Sequence, residues 1–346
     1  MLPAKMKAIV KTRNGPGAEL LQVDVPQIGP RDVLVKVKVA SICGTDLHIY
    51  NWDEWAAGRI KPPRIFGHEV AGEVVAVGSE VKSVREGEYV SAECHATCGT
   101  CYQCRTGQGH ICQDYRILGV DFDGCFADYV RVPEPCVWKN DPELPPEFAS
   151  IQDPFGNAVL TTLSGEIVGR TVLVIGCGAI GLFAVGIAKT SGSAYVIGMD
   201  INDYRLSLAR TMGAKHIINP KETKPVDKVL EITKGEGVDV VLEMSGNAQA
   251  IHDGFRVLKN GGRMSLLGIP PKPVEIDLAK EIVFKGITVQ GITGRELFGT
   301  WYKTAAFLNG NLDVAPVITH RFPMEEFAEG FAVMNTGNCG KVVLYP

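Results

Sequence analysis

The chain has 346 residues, 45% of them hydrophobic and 21% charged, with a formal net charge of -4. That length exceeds one ordinary core and suits two domains of roughly 150 residues, with a cleft expected between them. The weakly negative balance offers no basic field for a nucleic-acid backbone, and no run approaches the roughly 18 uninterrupted apolar residues of a membrane span, so neither nucleic acid nor membrane is an expected partner.

Met1 to Lys11 carries lysines but lacks the continuous apolar stretch of a signal peptide, which predicts a soluble, cytoplasmic protein. Ten cysteines in that setting read as metal ligands and buried thiols. From Lys7 onward, short alternating runs such as Val33 to Val39, with Pro26, Gly29 and Pro30 between them, predict antiparallel sheet. The same texture covers Glu69 to Val77, Gly87 to Val90 and Phe126 to Val132. One β-rich domain is therefore expected over residues 1–157.

Two ligand-like clusters lie inside it, Cys43-Gly-Thr-Asp-Leu-His48 and Gly67-His68-Glu69. Each is ambiguous alone, since a lone Cys or His is more often packed or solvated. Beside a nucleotide domain they suggest a catalytic zinc held by Cys43, His68 and Glu69 with one exchangeable position. Thr45 has a hydroxyl that can pass on a substrate proton, and His48 can receive it near neutral pH.

Within residues 94–113, Cys98, Cys101, Cys104 and Cys112 have two-residue gaps that let thiolates converge on one tetrahedral cation. A closed four-thiolate cage leaves no place for water, so this zinc is expected to be structural. Disulfides are the competing reading.

After Arg170 the pattern changes to apolar strands separated by helical stretches: Thr171 to Ile175, Tyr195 to Met199, Val238 to Leu242 and Arg263 to Leu267. That alternation predicts a doubly wound parallel-sheet domain over residues 158–296. Gly176-Cys-Gly-Ala-Ile-Gly181 follows its first strand and opens a helix. Gly176 suits the tight turn, Gly178 the approach of a pyrophosphate, and Gly181 close helix–strand packing. Asp200 stands 19 residues after Gly181, where a carboxylate accepts both ribose hydroxyls and favours NAD over NADP. Arg205 is placed to stack on adenine or pair with a phosphate. Residues 297–346 predict a helix near Trp301 to Asn309 and a final strand, Lys341 to Tyr345.

These residues resemble the zinc-dependent medium-chain alcohol dehydrogenases, and within them most closely the L-threonine 3-dehydrogenase branch, from end to end. The stretches that carry the resemblance are Ser41-Ile-Cys-Gly-Thr-Asp-Leu-His-Ile-Tyr50, Trp52 to Trp55, Arg59-Ile-Lys-Pro-Pro63, Phe66-Gly-His-Glu69, the four-cysteine lobe, Pro154-Phe-Gly-Asn-Ala158, Glu243-Met-Ser-Gly246 and Gly291-Ile-Thr-Gly-Arg295. The resemblance implies a partly open, GroES-like β-barrel catalytic domain, a Rossmann domain, and a C-terminal segment 297–346 returning to the catalytic domain. It implies NAD-dependent oxidation of the 3-hydroxyl of L-threonine to 2-amino-3-oxobutanoate by a homotetramer with two zinc ions per chain. By motif, Ile180, Asp200, Arg205, Leu267, Gly268, Ile269, Ile292, Thr293 and Arg295 match cofactor-contacting positions, and His95 matches a histidine near the substrate.

Asp153 stands where similar enzymes have Glu, and the shorter side chain is expected to act on the zinc through a neighbour or a water. Cys94 also departs from the pattern and is expected to be a bystander. A polyol or secondary-alcohol dehydrogenase, of the sorbitol or 2,3-butanediol type, shares all these motifs. Non-catalytic relatives such as crystallins and zinc-free quinone reductases lose Cys43, His68 or the lobe, all of which are present.

Overall fold

A computed structural model describes residues 2–346, which divide into two compact units. The first holds residues up to Pro154 with Ile318–Gly337 and Lys341–Pro346, and the second holds Phe155–Val317 with Asn338–Gly340.

The first unit opens with β1 (Lys5–Lys11), β2 (Glu19–Asp24) and β3 (Asp32–Ile42). Two short helices follow, α1 (Gly44–Asn51) and α2 (Glu54–Arg59), then β4 (Arg64–Ile65), β5 (Glu69–Val77) and β6 (Tyr89–Ala92). The cysteine lobe lies among β7 (His95–Ala96), α3 (Tyr102–Arg105) and β8 (Arg116–Ile117), and β9 (Tyr129–Pro133), β10 (Val137–Lys139) and α4 (Pro146–Ser150) complete this stretch. The strand β3 pairs antiparallel with β5 and with β9, with register shifts at Leu34/Val35 and Val37/Val39. Such irregularities bend and twist a strand, which a barrel wall requires. A smaller sheet, β2-β1-β4, packs Met6, Ala8, Val10 and Ile65 against Ala127.

At the tip of β3 the chain turns into α1 because Cys43 remains extended and its N–H is bonded by the Asp46 carboxylate at 2.9 Å. The helix ends at Trp52, in the left-handed region at φ 59. The ammonium of Lys11 fixes that end: it donates to Gly17 O at 2.8 Å and Tyr50 O at 3.3 Å and lies 4.9 Å from the Trp52 ring centre.

The second unit runs from within α5 (Gln152–Leu163) through β11 (Thr171–Ile175), α6 (Ala179–Thr190), β12 (Tyr195–Met199), α7 (Asp203–Met212), β13 (His216–Ile218), α8 (Pro225–Ile232), β14 (Val238–Glu243), α9 (Ala248–Val257), β15 (Leu258–Leu266), β16 (Thr288–Gly291) and α10 (Gly299–Leu308). Its six strands are parallel in the order β13-β12-β11-β14-β15-β16. That is a doubly wound sheet whose order reverses beside β11, the place where such sheets take a dinucleotide. Val172, Leu173, Val174 and Ile175 are all buried. Each such side chain contributes ~1.5–3 kcal/mol, which explains why β11 has no alternation.

The chain then returns to the first unit with β17 (Ile318–Pro323), α11 (Phe327–Thr336) and β18 (Lys341–Tyr345). β18 pairs parallel with β17 and antiparallel with β3, setting Val342 opposite Ile42. The expected boundaries therefore shift. Residues 155–157 and 297–317 belong to the second unit, and only Ile318 onward, apart from Asn338–Gly340, returns to the first. The cause is packing: Trp301 and Leu308 are buried, and Leu312 lies so close to α6 that a Cβ on Gly186 would sit 2.9 Å from it. No helix among the described residues is long and apolar enough to cross a membrane.

Candidate zinc and dinucleotide sites

In the lobe, the donor atoms of Cys98, Cys101, Cys104 and Cys112 all lie within 4.8 Å of one another. Cys101 Sγ is 3.8 Å from Cys112 Sγ, which is 3.5 Å from Cys98 Sγ. Thiolates on a tetrahedral zinc with bonds of about 2.3 Å are about 3.8 Å apart, so the cage has the right size. All ten cysteines are free, and a disulfide network is not formed. Backbone N–H groups aim at the sulfurs: Cys101 N–H at Cys98 (3.4 Å), and Cys98 N–H and Asp114 N–H at Cys112 (3.4 and 3.3 Å). The amides of Thr100 and Cys101 lower the Cys98 thiol to about 6, while burial and the neighbouring Cys101 and Cys112 push Cys104 up to about 12. The fold thus favours the thiolate that a metal needs at one ligand and leaves the metal to do so at another.

The second cluster is assembled from distant segments. Cys43 caps α1, Glu69 begins β5 with His68 just before it, and their donor atoms converge within 4.8 Å. Cysteine, imidazole and carboxylate form a donor set that suits zinc with a position left open. Buried Asp46 lies beside His68, its Oδ1 3.7 Å from Nδ1, close enough for charge attraction and too long for a hydrogen bond. Burial opposes charge on His68, but Asp46, Cys43 and Asp153 outweigh it and raise the imidazole to about 10. A cation is therefore favoured at this spot, and a zinc would displace a proton there.

Glu69 faces two ways, toward this cluster and toward Lys341. The ammonium of Lys341, only 3% exposed, donates to Glu69 Oε1 at 2.7 Å and Ile42 O at 2.9 Å, and Ser41 Oγ donates to Glu69 Oε2. Burial lowers the Lys341 pKa, and Glu69 with Cys43 reverses that and keeps it raised. Asp153 is buried in the first turn of α5, and its charge is felt by His68, but it stands outside the convergent trio.

Thr45 Oγ1 lies 3.8 Å from Cys43 Sγ. His48, one turn further along α1, has its side chain 59% exposed and its Nδ1 bonded to Asp53. His95 donates from Nδ1 to Glu93 Oε1 at 2.7 Å and from its backbone N–H to the same oxygen at 2.9 Å. Glu93, Cys94 and His95 also bring donor atoms together. Their internal hydrogen bonds account for that geometry without an ion.

In the second unit a cavity of about 510 Å³ lies at the strand ends, lined by Gly176, Gly178, Asp200 and Arg205 among the expected residues, and by Ile201, Lys221, Met244, Ser245 and Asn247 among others. The three glycines differ in the room around them. Gly176 turns at φ +87, a Cβ on Gly181 would sit 1.9 Å from Gly176 O, and a Cβ on Gly178 would meet nothing within 4 Å. The open space at Gly178, which caps α6, is where a pyrophosphate fits. Asp200 is oriented by two amides, Cys177 N–H at 2.7 Å and Asn202 N–H at 2.9 Å.

Ile180 lies in the first turn of α6; Leu267, Gly268 and Ile269 follow β15, and Ile292 and Thr293 follow β16. None of these six lines the cavity at Asp200. Arg295 departs from the expected cofactor contact. It is 1% exposed, bonds Asn157 Oδ1 at 3.1 Å, stacks on Trp301 and packs on Gly156, which leaves no open face for a ligand.

Sequence reasoning missed Asp46, Lys341, Asp53 and Glu93. Asp46 sits inside a quoted motif, and a buried acid two residues before a proton-relay position was a usable signal. Lys341 had none, being 272 residues from Glu69.

Known proteins agree with this geometry. The sequence pattern of the alcohol dehydrogenase GroES-like domain matches residues 29–143, and that of the zinc-binding dehydrogenase domain matches residues 179–310. The chain is 54% identical over 346 residues to L-threonine 3-dehydrogenase of Bacillus licheniformis, covering 100% of both chains. It is 52% identical over 343 residues to that of Symbiobacterium thermophilum, covering 99% and 98%. Among solved structures, a zinc-binding dehydrogenase from Sinorhizobium meliloti bound to NADP superposes with a TM-score of 0.92 at 29% identity, covering 99% of this chain and 100% of that one. With both zinc-ligand clusters and the dinucleotide loop in place, the chain belongs to the L-threonine 3-dehydrogenase family of zinc-dependent alcohol dehydrogenases.

Proposed function

We propose that this chain oxidises the 3-hydroxyl of L-threonine to 2-amino-3-oxobutanoate, with NAD as hydride acceptor and two zinc ions per chain, one catalytic and one structural. The observation that carries the substrate is the 54% identity to an L-threonine 3-dehydrogenase over the whole of both chains. The convergence of Cys43, His68 and Glu69 supports the chemistry.

When bound, the catalytic zinc would supply Lewis acidity to the substrate hydroxyl, and NAD would supply the hydride acceptor. Cys43, His68 and Glu69 would hold the metal, and the carboxylate of Asp46 acts on His68 through its charge. Thr45 accepts the hydroxyl proton and passes it to His48. The bond from His48 Nδ1 to Asp53 leaves Nε2 free to receive that proton and release it to solvent. Asp153 adds negative charge beside His68 without ligating the metal. His95, whose Nδ1–H is spent on Glu93, offers Nε2 as an acceptor to the substrate.

NAD is the preferred cofactor because Asp200, already oriented by two amides, accepts ribose hydroxyls and repels a 2′-phosphate. Asp200→Ser should raise the NADP-to-NAD ratio of kcat/KM by about tenfold or more; equal use of both cofactors by the unmodified enzyme would overturn this reading. We also place the enzyme in the cytoplasm as a homotetramer. Exposed Leu278, Val283 and Phe284, ahead of the edge strand β16, offer apolar surface for self-association, and light scattering of the purified enzyme measures the assembly.

The deciding experiment is NAD reduction with L-threonine, sorbitol and 2,3-butanediol at equal concentration. L-threonine should give the highest kcat/KM. A preference for either diol would move the chain to the polyol or secondary-alcohol reading.

A further inference from the structure

Glu243, the last residue of β14, is a carboxylate at 0% exposure beside a site built for an anion. A buried charge there must be neutralised by donors, or it would both destabilise the fold and repel a pyrophosphate. Its donors come from one turn. Glu243 Oε1 accepts Ser245 N–H at 2.8 Å, Gly246 N–H at 3.0 Å and the Ser245 hydroxyl, and Oε2 lies 3.3 Å from Gly246 N. Burial keeps this carboxyl raised above the usual carboxylate range, and the donors of Ser245 and Gly246 offset that only in part.

The backbone of the same residue holds a second loop. Glu243 O accepts Leu267 N–H at 2.9 Å and Gly268 N–H at 3.1 Å. The two loops touch without side chains between them. A Cβ on Gly268 would sit 2.2 Å from Gly246 N and 2.6 Å from Glu243 Oε2, and one on Gly246, at φ +64, would sit 2.6 Å from Ile269 O. On its other side the Ser245 turn meets the phosphate loop, since a Cβ on Gly176 would lie 2.9 Å from Ser245 N. The turn at Met244 and Ser245 lines the cavity that contains Asp200 and Arg205, whereas Leu267 to Ile269 lie outside it. One side chain therefore fixes a turn wedged between the phosphate loop and the 267–269 loop.

We propose that Glu243 is a positioning residue that sets the 267–269 loop against the adenosine end of the dinucleotide site, so that both halves of the cofactor are bound in one register. The inference rests on reading this chain as an NAD enzyme. It gives the carboxylate no contact with the cofactor and no part in proton transfer. Its signature is a split between ligands: a whole dinucleotide needs the register, and its adenosine half alone does not.

The test measures NADH and AMP binding to the zinc-loaded enzyme by calorimetry, without threonine. Glu243→Gln keeps the shape but replaces one acceptor by a donor facing Gly246 N–H, and losing a buried charged acceptor should weaken NADH by about tenfold. AMP should stay within about twofold, because Asp200, Ile201 and Arg205 on the far side of the cavity are not bonded to this carboxylate, which reaches only the Ser245 edge. Ser245→Ala removes one donor and leaves the carboxylate, and should weaken NADH by about threefold; since Ser245 also lines the cavity, only NADH is read in this variant. It serves as the probe should Glu243→Gln fail to fold. Wild-type NADH affinity in both variants, or equal weakening of NADH and AMP in Glu243→Gln, would overturn the proposal. Failure to oxidise threonine would overturn the substrate reading alone, since no arm of this test contains threonine.

Discussion

The two zinc-ligand clusters of the first unit are built in opposite ways. In the lobe, four ligands fall within fifteen residues, the thiols are polarised by their own backbone amides, and nothing distant is needed to form the cage. In the other, Cys43 comes from the tip of β3, Glu69 from the start of β5 with His68 just before it, and the supporting charges Asp46, Asp153 and Lys341 from α1, α5 and β18. A local cage secures a loop, and a dispersed, buried, charge-rich cluster holds a reactive position open. The difference teaches that ligand spacing reports a structural metal directly, while a catalytic metal is reported by the residues that tune it.

Predictions that strain this contrast begin at the dispersed cluster. Cys43→Ser should lower kcat by about 10³-fold, since a Lewis acid supplies several kcal/mol of stabilisation, with the melting temperature nearly unchanged; steady-state kinetics beside a thermal melt check both. Lys341→Met leaves the Glu69 carboxylate buried without its cation, and should cost about 3 kcal/mol or more of stability in denaturant unfolding of the metal-free protein. Retained stability would mean that Glu69 had turned to another partner.

Asp153→Asn removes a charge that His68 feels at nearly constant shape, and should cut kcat by about tenfold while zinc content stays near that of the wild type. Asp153→Glu should be tolerated, and a fully active Asp153→Asn enzyme would remove this carboxylate from the chemistry. Smallest in turnover is Cys101→Ser. It should lower the melting temperature by several degrees or disturb assembly, with kcat of the folded enzyme within about twofold. A large loss of kcat in folded protein would erase the distinction between the two sites.

Legibility in the sequence followed the same divide. The strands Glu69–Val77, Thr171–Ile175 and Tyr195–Met199 were readable to the residue, because alternation marks a half-buried strand and an unbroken apolar run a covered one. The cysteine lobe and the glycine loop were legible because their chemistry is local in sequence. Less visible was whatever depends on register across the sheet. The pairing of Val342 with Ile42 carries Lys341 to Glu69, and no periodicity near residue 341 points to a carboxylate at residue 69. The domain boundary slipped for a related reason. The helix at Gly299–Leu308 was recognised, but amphipathic pattern does not say which of two cores buries it. The burial of Arg295 against Trp301 and Asn157 was not visible in the motif that contains it, because it depends on packing between distant segments.

The central claim, two zinc sites with separate duties, is tested most directly by metal analysis of pure, active protein alongside Cys43→Ser and Cys101→Ser. Wild-type protein should hold two zinc ions per chain. Cys43→Ser should lose zinc and turnover while remaining folded, and Cys101→Ser should lose zinc and thermal stability while the remaining zinc supports turnover. One zinc or none in fully active wild-type protein, or the loss of both ions from either variant, would contradict it.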